Sequence, residues 1–129
     1  NEKGEGKREA NGKKIFWSRG NGWVTGGLVR LLKELPKNHP KYAFYLNIYK
    51  EMMDKVLSIQ QTDGLWRSSL LDPQSYPGGE ASGSGFYLYS MAWGVNNKIL
   101  DKNKFLPAIK KGWTSLNSLV QEDGKVGWT

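Results

Sequence analysis

The segment Phe16-Trp17-Ser18-Arg19-Gly20-Asn21-Gly22-Trp23 is the densest concentration of recognition chemistry in the chain, with two tryptophans, an arginine and an amide set around two glycines. Arginine presents a planar fork of donors that matches a carboxylate, and an indole face can stack on a sugar ring. Glycine lets a ligand approach the backbone, and a helix opening there would aim its free amides at an anion. Packing accounts for the same residues: both tryptophans would sit in a core and Arg19 would cap a neighbouring helix. A second glycine-rich stretch, Gly78-Gly79-Glu80-Ala81-Ser82-Gly83-Ser84-Gly85, places Ser82 and Ser84 as hydroxyl donors at another helix start. They suit a carboxylate or hydroxyl ligand; Ser82 also reads as an ordinary N-cap. No Lys-Ser/Thr follows those glycines, which excludes a phosphate loop.

Hydrolysis of a sugar linkage ordinarily uses two carboxyl groups roughly 5–9.5 Å apart. Asp63 and Asp123 lie in matching turns, where turn formation explains them, and Glu34, Glu51, Asp54 and Glu122 lie on or beside solvated helical faces. Only Asp72 and Glu80, which bracket a long loop, are placed to reach a site beside Arg19. His39, the single histidine, falls in a proline-flanked connection at the opposite end of the hairpin and reads as a surface residue. With no cysteine and one histidine, thiol chemistry, disulfides and Cys/His metal sites are excluded, and neither a metal nor a cofactor is expected.

The elements that must position these groups come in two copies. Gln61-Thr62-Asp63-Gly64 recurs as Gln121-Glu122-Asp123-Gly124 at an offset of 60, each followed by a tryptophan, Trp66 and Trp128. Gly20-Asn21-Gly22-Trp23 recurs as Gly83-Ser84-Gly85-Phe86 at an offset of 63. One unit is therefore a glycine loop, a first helix, a short connection, a second helix and a Gln-x-Asp-Gly turn. Helical spacing of apolar residues predicts helices over 21–35, 41–60, 83–97 and 104–120, with Pro36 stopping the first and Pro107 tolerated in the opening turn of the last. The helix over 83–97 carries no charged residue, which predicts burial on nearly every side. Nearly uncharged helices alternating with amphipathic ones predict αα-hairpins laid side by side, as in a solenoid or a closed α/α toroid. The loop over 65–80, with Trp66, Tyr76 and two prolines, reads as an ordered, functional connection.

Composition sets outer limits. The chain has 129 residues, a formal net charge of +7 and 38% apolar residues, enough for a core. Its basic residues are spread along helix ends and solvated faces rather than gathered into a patch, so no nucleic-acid partner is expected. No apolar stretch approaches a membrane span and residues 1–14 lack the apolar centre of a signal peptide, so the chain is expected to be soluble, with no membrane partner. Residues 1–14 read as a flexible N-terminal segment or loop, and residues 15–129 as the folded part.

WSRGNGW (17–23), QTDGLWRSSLLDPQSYPGGEASGSGF (61–86), MAWGVNN (91–97) and QEDGKVGW (121–128) together resemble the C-terminal part of the unsaturated rhamnogalacturonyl hydrolases, the YteR-like glycoside hydrolases of family 105. The resemblance covers residues 15–129. It implies an all-α fold in which two αα-hairpins form part of an (α/α)6 barrel, in agreement with the two-unit repeat. It also implies a partner: a pectin-derived oligosaccharide of rhamnogalacturonan type ending in a 4,5-unsaturated uronic acid. The implied reaction is vinyl-ether hydration, in which an aspartic acid protonates C4 and activates water for C5, and the hemiketal collapses to release the sugar. Trp17, Arg19 and Trp23 match residues that line the unsaturated-uronate subsite, with Asn21 in the same motif. Ser82 and Ser84 fall where the related unsaturated glucuronyl hydrolases contact the sugar.

The family's catalytic aspartate precedes WxRGNGW by many residues, and no position here matches it. The chain is therefore expected to be about two hairpins of six, carrying part of a substrate subsite without the acid/base and inactive alone. The competing reading is a stand-alone helical module that binds carbohydrate or protein, and a third is an intact enzyme that uses Asp72 or Glu80. Because two hairpins cannot close a toroid, self-association through the uncharged helix is a further expectation.

Overall fold

A computed structural model describes residues 6–129. Four helices follow one another: α1 (Ser18–Glu34), α2 (Tyr42–Ser58), α3 (Ala81–Asn96) and α4 (Lys102–Ser118). Each begins and ends within three residues of the span predicted from apolar spacing. The ends have local causes. α1 stops before Pro36, with Leu35 N–H closing the last turn on the Leu31 carbonyl at 2.8 Å. The Glu80 carboxylate caps α3 by accepting from Gly83 N–H at 2.6 Å, and Asp101 caps α4 by accepting from Asn103 N–H at 2.9 Å. Because Asp101 starts α4 early, Pro107 falls in its second turn rather than its first.

One expectation changes. The two glycine motifs, read as loops leading into helices that start at 21 and 83, lie wholly within the first two turns of α1 and α3, which start earlier, at Ser18 and Ala81. At Gly22 the absent side chain serves close packing: a Cβ there would stand 3.0 Å from the Phe86 ring.

α1 and α3 lie side by side, with α2 backing α1 and α4 backing α3. Between them sits a core of Val29, Tyr49, Met53, Tyr87, Met91 and Phe105, joined by Trp66 from the 65–80 loop. Trp66 is fully buried; its indole N–H donates to the Val56 carbonyl at 2.8 Å and its backbone N–H to Ser84 Oγ at 3.0 Å. The loop is thereby fastened to both the α2 end and the α3 start. The repeated turns are built alike: Gln61 N–H donates to the Leu65 carbonyl at 2.9 Å and Gln121 N–H to the Lys125 carbonyl at 2.8 Å. Gly64 and Gly124 take the left-handed conformation that each turn needs, with φ of 86° and 84°. Asp63 is pushed up by partial burial, but hydrogen bonds from the Arg67 guanidinium and Leu65 N–H outweigh this and hold its carboxyl below the usual range.

α3 is covered on one side only. Tyr87, Leu88 and Met91 are buried, whereas Tyr89 is 45% exposed and, with Phe86 and Trp113, lines a groove of about 590 Å³ between α3, α4 and the last turn. The charge-free sequence of α3 anticipates cover on this side that these residues do not supply. Residues 6–14 form a loop closed by an Arg8–Lys14 bridge and held to the 65–80 loop by Asn11, which donates to the Leu71 carbonyl at 2.8 Å. Residues 1–5, expected as part of that N-terminal segment, lie outside the described residues. Among the described residues no helix is long and apolar enough to cross a membrane.

Candidate functional site

The N-termini of α1 and α3 share one end of the molecule, and the 65–80 loop runs across it. Ser18 N–H donates to the Ser68 carbonyl at 2.8 Å, Leu70 N–H to the Phe16 carbonyl at 3.0 Å, and Glu80 N–H to the Trp66 carbonyl at 3.1 Å. The bonds from Ser18 and Glu80 satisfy donors at the two helix starts with loop carbonyls, the bond from Leu70 ties the loop back to the segment entering α1, and together they fix the rim.

Arg19 projects from the first turn of α1, with its side chain 54% exposed and its Nε 3.9 Å from Glu80 Oε1. Trp23, one turn further along the same face, is 66% exposed and rests on Phe86 with ring centroids 4.7 Å apart. Trp17 ends the extended segment that enters α1; it is 42% exposed and meets the Tyr76 ring edge-on at 5.2 Å. The expected site residues Trp17, Arg19 and Trp23 are thus all accessible at or just below this rim. Ser82 joins them indirectly, by donating to Glu80 Oε1.

Asn21 and Ser84 point elsewhere. Asn21 Nδ2 donates to the Trp17 carbonyl at 2.8 Å and its side lines a separate cavity of about 260 Å³ with Met52, Ile59 and Leu70. Ser84 is fully buried, its Oγ accepting the Trp66 N–H. Of the two carboxylates that bracket the loop, Glu80 does lie beside Arg19. Asp72, also buried, instead accepts from Ser75 Oγ at 2.8 Å and from Asn11 N–H at 3.3 Å. His39 is exposed in its connection, with Nδ1 accepting from Lys41 N–H. Two contributors were not singled out as site residues: Tyr76, an aromatic just before a proline, and Phe86, the aromatic of the second glycine motif. Among the described residues no three metal-ligating side chains come together.

Beneath the rim, Tyr87 donates to the Ser18 carbonyl at 2.7 Å. Burial pushes its hydroxyl up to about 12; the Ser18 hydroxyl acts in the opposite direction and the Glu80 charge adds to the rise. Tyr87 therefore stays neutral and serves as a fixed donor to the Ser18 carbonyl at the start of α1.

Residues 1–129 match the sequence profile of Glycosyl Hydrolase Family 88. The chain belongs to that family. It is 55% identical over 121 residues to the unsaturated 3S-rhamnoglycuronyl hydrolase of Formosa agariphila, covering 94% of this chain and 32% of that protein. It is 26% identical over 113 residues to the unsaturated rhamnogalacturonyl hydrolase YesR of Bacillus subtilis, covering 87% of this chain and 30% of that one. A solved family 88 glycosyl hydrolase from Bacteroides vulgatus superposes with a TM-score of 0.91 at 36% identity, over 95% of this chain and 35% of the solved one. The chain therefore spans about a third of the length of the relatives it matches. The expected relationship to unsaturated rhamnogalacturonyl hydrolases holds, and the four helices correspond to about a third of the (α/α)6 toroids of families 88 and 105.

Proposed function

We propose that this family 88 chain supplies the uronate-binding part of a hydrolase that removes a terminal 4,5-unsaturated uronic acid from a rhamnose-containing oligosaccharide by vinyl-ether hydration. The observation that carries the reading is the shared exposed face of Arg19 and Trp23, one helical turn apart at the rim. A guanidinium pairs with the uronate carboxylate and an indole covers a sugar ring. Trp17, backed by Tyr76, extends the aromatic wall, and Ser82 completes the contacts at the rim; Asn21 and Ser84, the other two motif positions, support that rim from behind, Asn21 through the Trp17 carbonyl and Ser84 through the Trp66 N–H.

Hydration adds a proton at C4 and hydroxide at C5, after which the hemiketal opens and the sugar leaves. The proton donor is proposed to come from outside these 129 residues. In support, Asp72 and Glu80, the buried carboxylates considered for that role, are both engaged in fixed hydrogen bonds. The motifs alone favour a pectin-derived, rhamnogalacturonan-type substrate. The 55% identity to a rhamnoglycuronyl hydrolase, against 26% to a rhamnogalacturonyl one, favours the rhamnoglycuronyl class.

Calorimetric titration of the purified chain with an unsaturated rhamnoglycuronyl and an unsaturated rhamnogalacturonyl disaccharide tests the reading. Arg19→Ala should weaken the tighter complex by about tenfold or more, the size of a lost charge-assisted contact. Affinity indifferent to Arg19 would leave the helical-module reading in its place. Loss of the disaccharide's ultraviolet absorbance in the presence of this chain alone would show that the proton donor is within it. Self-association through the uncovered face of α3 belongs to the same proposal.

A further inference from the structure

We infer that Glu80 is a positioning residue for Arg19, drawing the Nε edge of the guanidinium toward it through an ion pair at 3.9 Å so that the edge formed by its two Nη groups faces an incoming carboxylate. The inference rests on the reading of Arg19 as the uronate anchor and adds the residue that aims it.

Glu80 is 4% exposed, unusual for a carboxylate, and its setting is built for it. Oε2 accepts the Gly83 N–H at 2.6 Å, Ser82 donates to Oε1, and Oε1 lies 3.9 Å from Arg19 Nε. The cradle admits no side chain at Gly83, where a Cβ would collide with Glu80 Oε2 and Ser18 Oγ. A plain N-cap needs only a short oxygen side chain such as Ser, Thr, Asp or Asn. Glu80 is longer, is held through both oxygens, and turns one of them toward the arginine.

A guanidinium offers distinct donor edges in a fixed plane, so anchoring the Nε edge defines where the remaining donors point. Arg19 is otherwise more than half exposed, and a free side chain of that length would lose rotamer entropy each time it bound. Preorganisation by a buried partner reduces that loss. Glu80 also places a negative charge near the substrate carboxylate, so its net effect on affinity has a sign that experiment reads directly.

The test uses Glu80→Gln, which keeps an acceptor for the Gly83 N–H while removing the charge. In the 129-residue chain, the Arg19 Nε–H resonance, assigned by its disappearance in Arg19→Lys, should exchange several-fold faster in Glu80→Gln. Binding of the unsaturated rhamnoglycuronyl disaccharide should weaken about five- to tenfold, and Arg19→Lys combined with Glu80→Gln should bind no worse than Arg19→Lys alone. An unaltered Nε–H, or tighter binding by Glu80→Gln, overturns the inference and leaves Glu80 as a cap for α3. If Glu80→Gln does not fold, Glu80→Asp, which keeps the charge and a capping oxygen but shortens the reach, gives the second reading: the Arg19 Nε–H should again exchange several-fold faster than in the wild type, and an unaltered rate overturns the pairing. If the wild-type chain does not bind the disaccharide, the proposed function fails while the Nε–H measurement still decides whether Glu80 holds Arg19.

Discussion

Trp23 and Phe86 occupy the same position in the two repeat units and stack on one another, with ring centroids 4.7 Å apart and planes inclined by 48°. Phe86 is received by α1 at Gly22 and Gly26, where a Cβ would stand 3.0 Å and 2.9 Å from its ring. Trp23 closes over it from the solvent side. The contact locks the register of α1 against α3, and with it the separation of Arg19 from Glu80.

Adjacent glycines in α1 should therefore respond oppositely to alanine. At Gly26 the methyl meets a ring already pinned by Trp23, and overpacking of this kind costs about 1–3 kcal/mol. At Gly27 nothing lies within 4 Å, and relief of glycine's backbone entropy stabilises a helix by about 0.5–1 kcal/mol. Thermal melts of Gly26→Ala and Gly27→Ala should shift down and up respectively. Equal shifts would mean that Phe86 is not seated in this notch.

The two serines of the second motif separate by phase on α3. Ser84 shares the buried face with Tyr87, Leu88 and Met91, and its Oγ holds the Trp66 N–H. Ser84→Ala leaves that donor unpaired and should lower stability by about 1–3 kcal/mol, with the disaccharide affinity of the folded protein changed little. Ser82→Ala, at the partly exposed rim, should show the reverse pattern. A loss of affinity in Ser84→Ala without a change in melting would instead place its hydroxyl on the sugar.

Alkaline stability is governed by Tyr49 and Tyr87, both 0% exposed. Burial raises both hydroxyls, Tyr87 to about 12, from an unfolded value near 10. Below about pH 10 both are protonated whether folded or not and contribute no pH dependence. Above it the unfolded chain releases protons that the folded chain retains, so stability falls between about pH 10 and 12. Of the six tyrosines, these two should ionise only as helicity is lost, in parallel ultraviolet and circular-dichroism titrations. Ionisation of all six near pH 10 with helicity intact would contradict their burial.

The uncovered face of α3 should make the isolated chain associate. Tyr89, Trp113 and Phe86 line an open apolar groove, and Trp113 is 59% exposed. Light scattering should report a mass that rises with concentration, and Tyr89→Lys should return it to a monomer. A wild-type monomer with a cooperative melt would show that the face is tolerated uncovered.

The helices were legible because their apolar residues recur at helical spacing, and the turns because Asp-Gly with a left-handed glycine is a local signal. Glu80 beside Arg19 was within reach of sequence reasoning, since the loop it closes returns to the same rim. The packing role of Gly22 and Gly83 was not. Their smallness answers to Phe86 on another helix, and to Ser18 and Glu80 together, contacts that no local pattern contains. Ser84 was read as a rim donor from its place in a motif at a helix start; its i, i+3, i+4 and i+7 spacing to Tyr87, Leu88 and Met91 puts it on the buried face, where it holds the Trp66 N–H.

The notch that seats Phe86 also bears on assembly. The repeat places Gly85 where α1 has Gly22, and a Cβ there would meet only Leu116, at 3.9 Å. Where α1 has Gly26, however, α3 has Tyr89. A second copy cannot lay its α1 on α3 in the way that α3 lies on α1, because the tyrosine fills half of the seat. Head-to-tail contacts repeated without change build closed rings where the rotation closes and open filaments where it does not. Tyr89 denies this chain that repetition, so association through this face should end in small, finite oligomers rather than fibres.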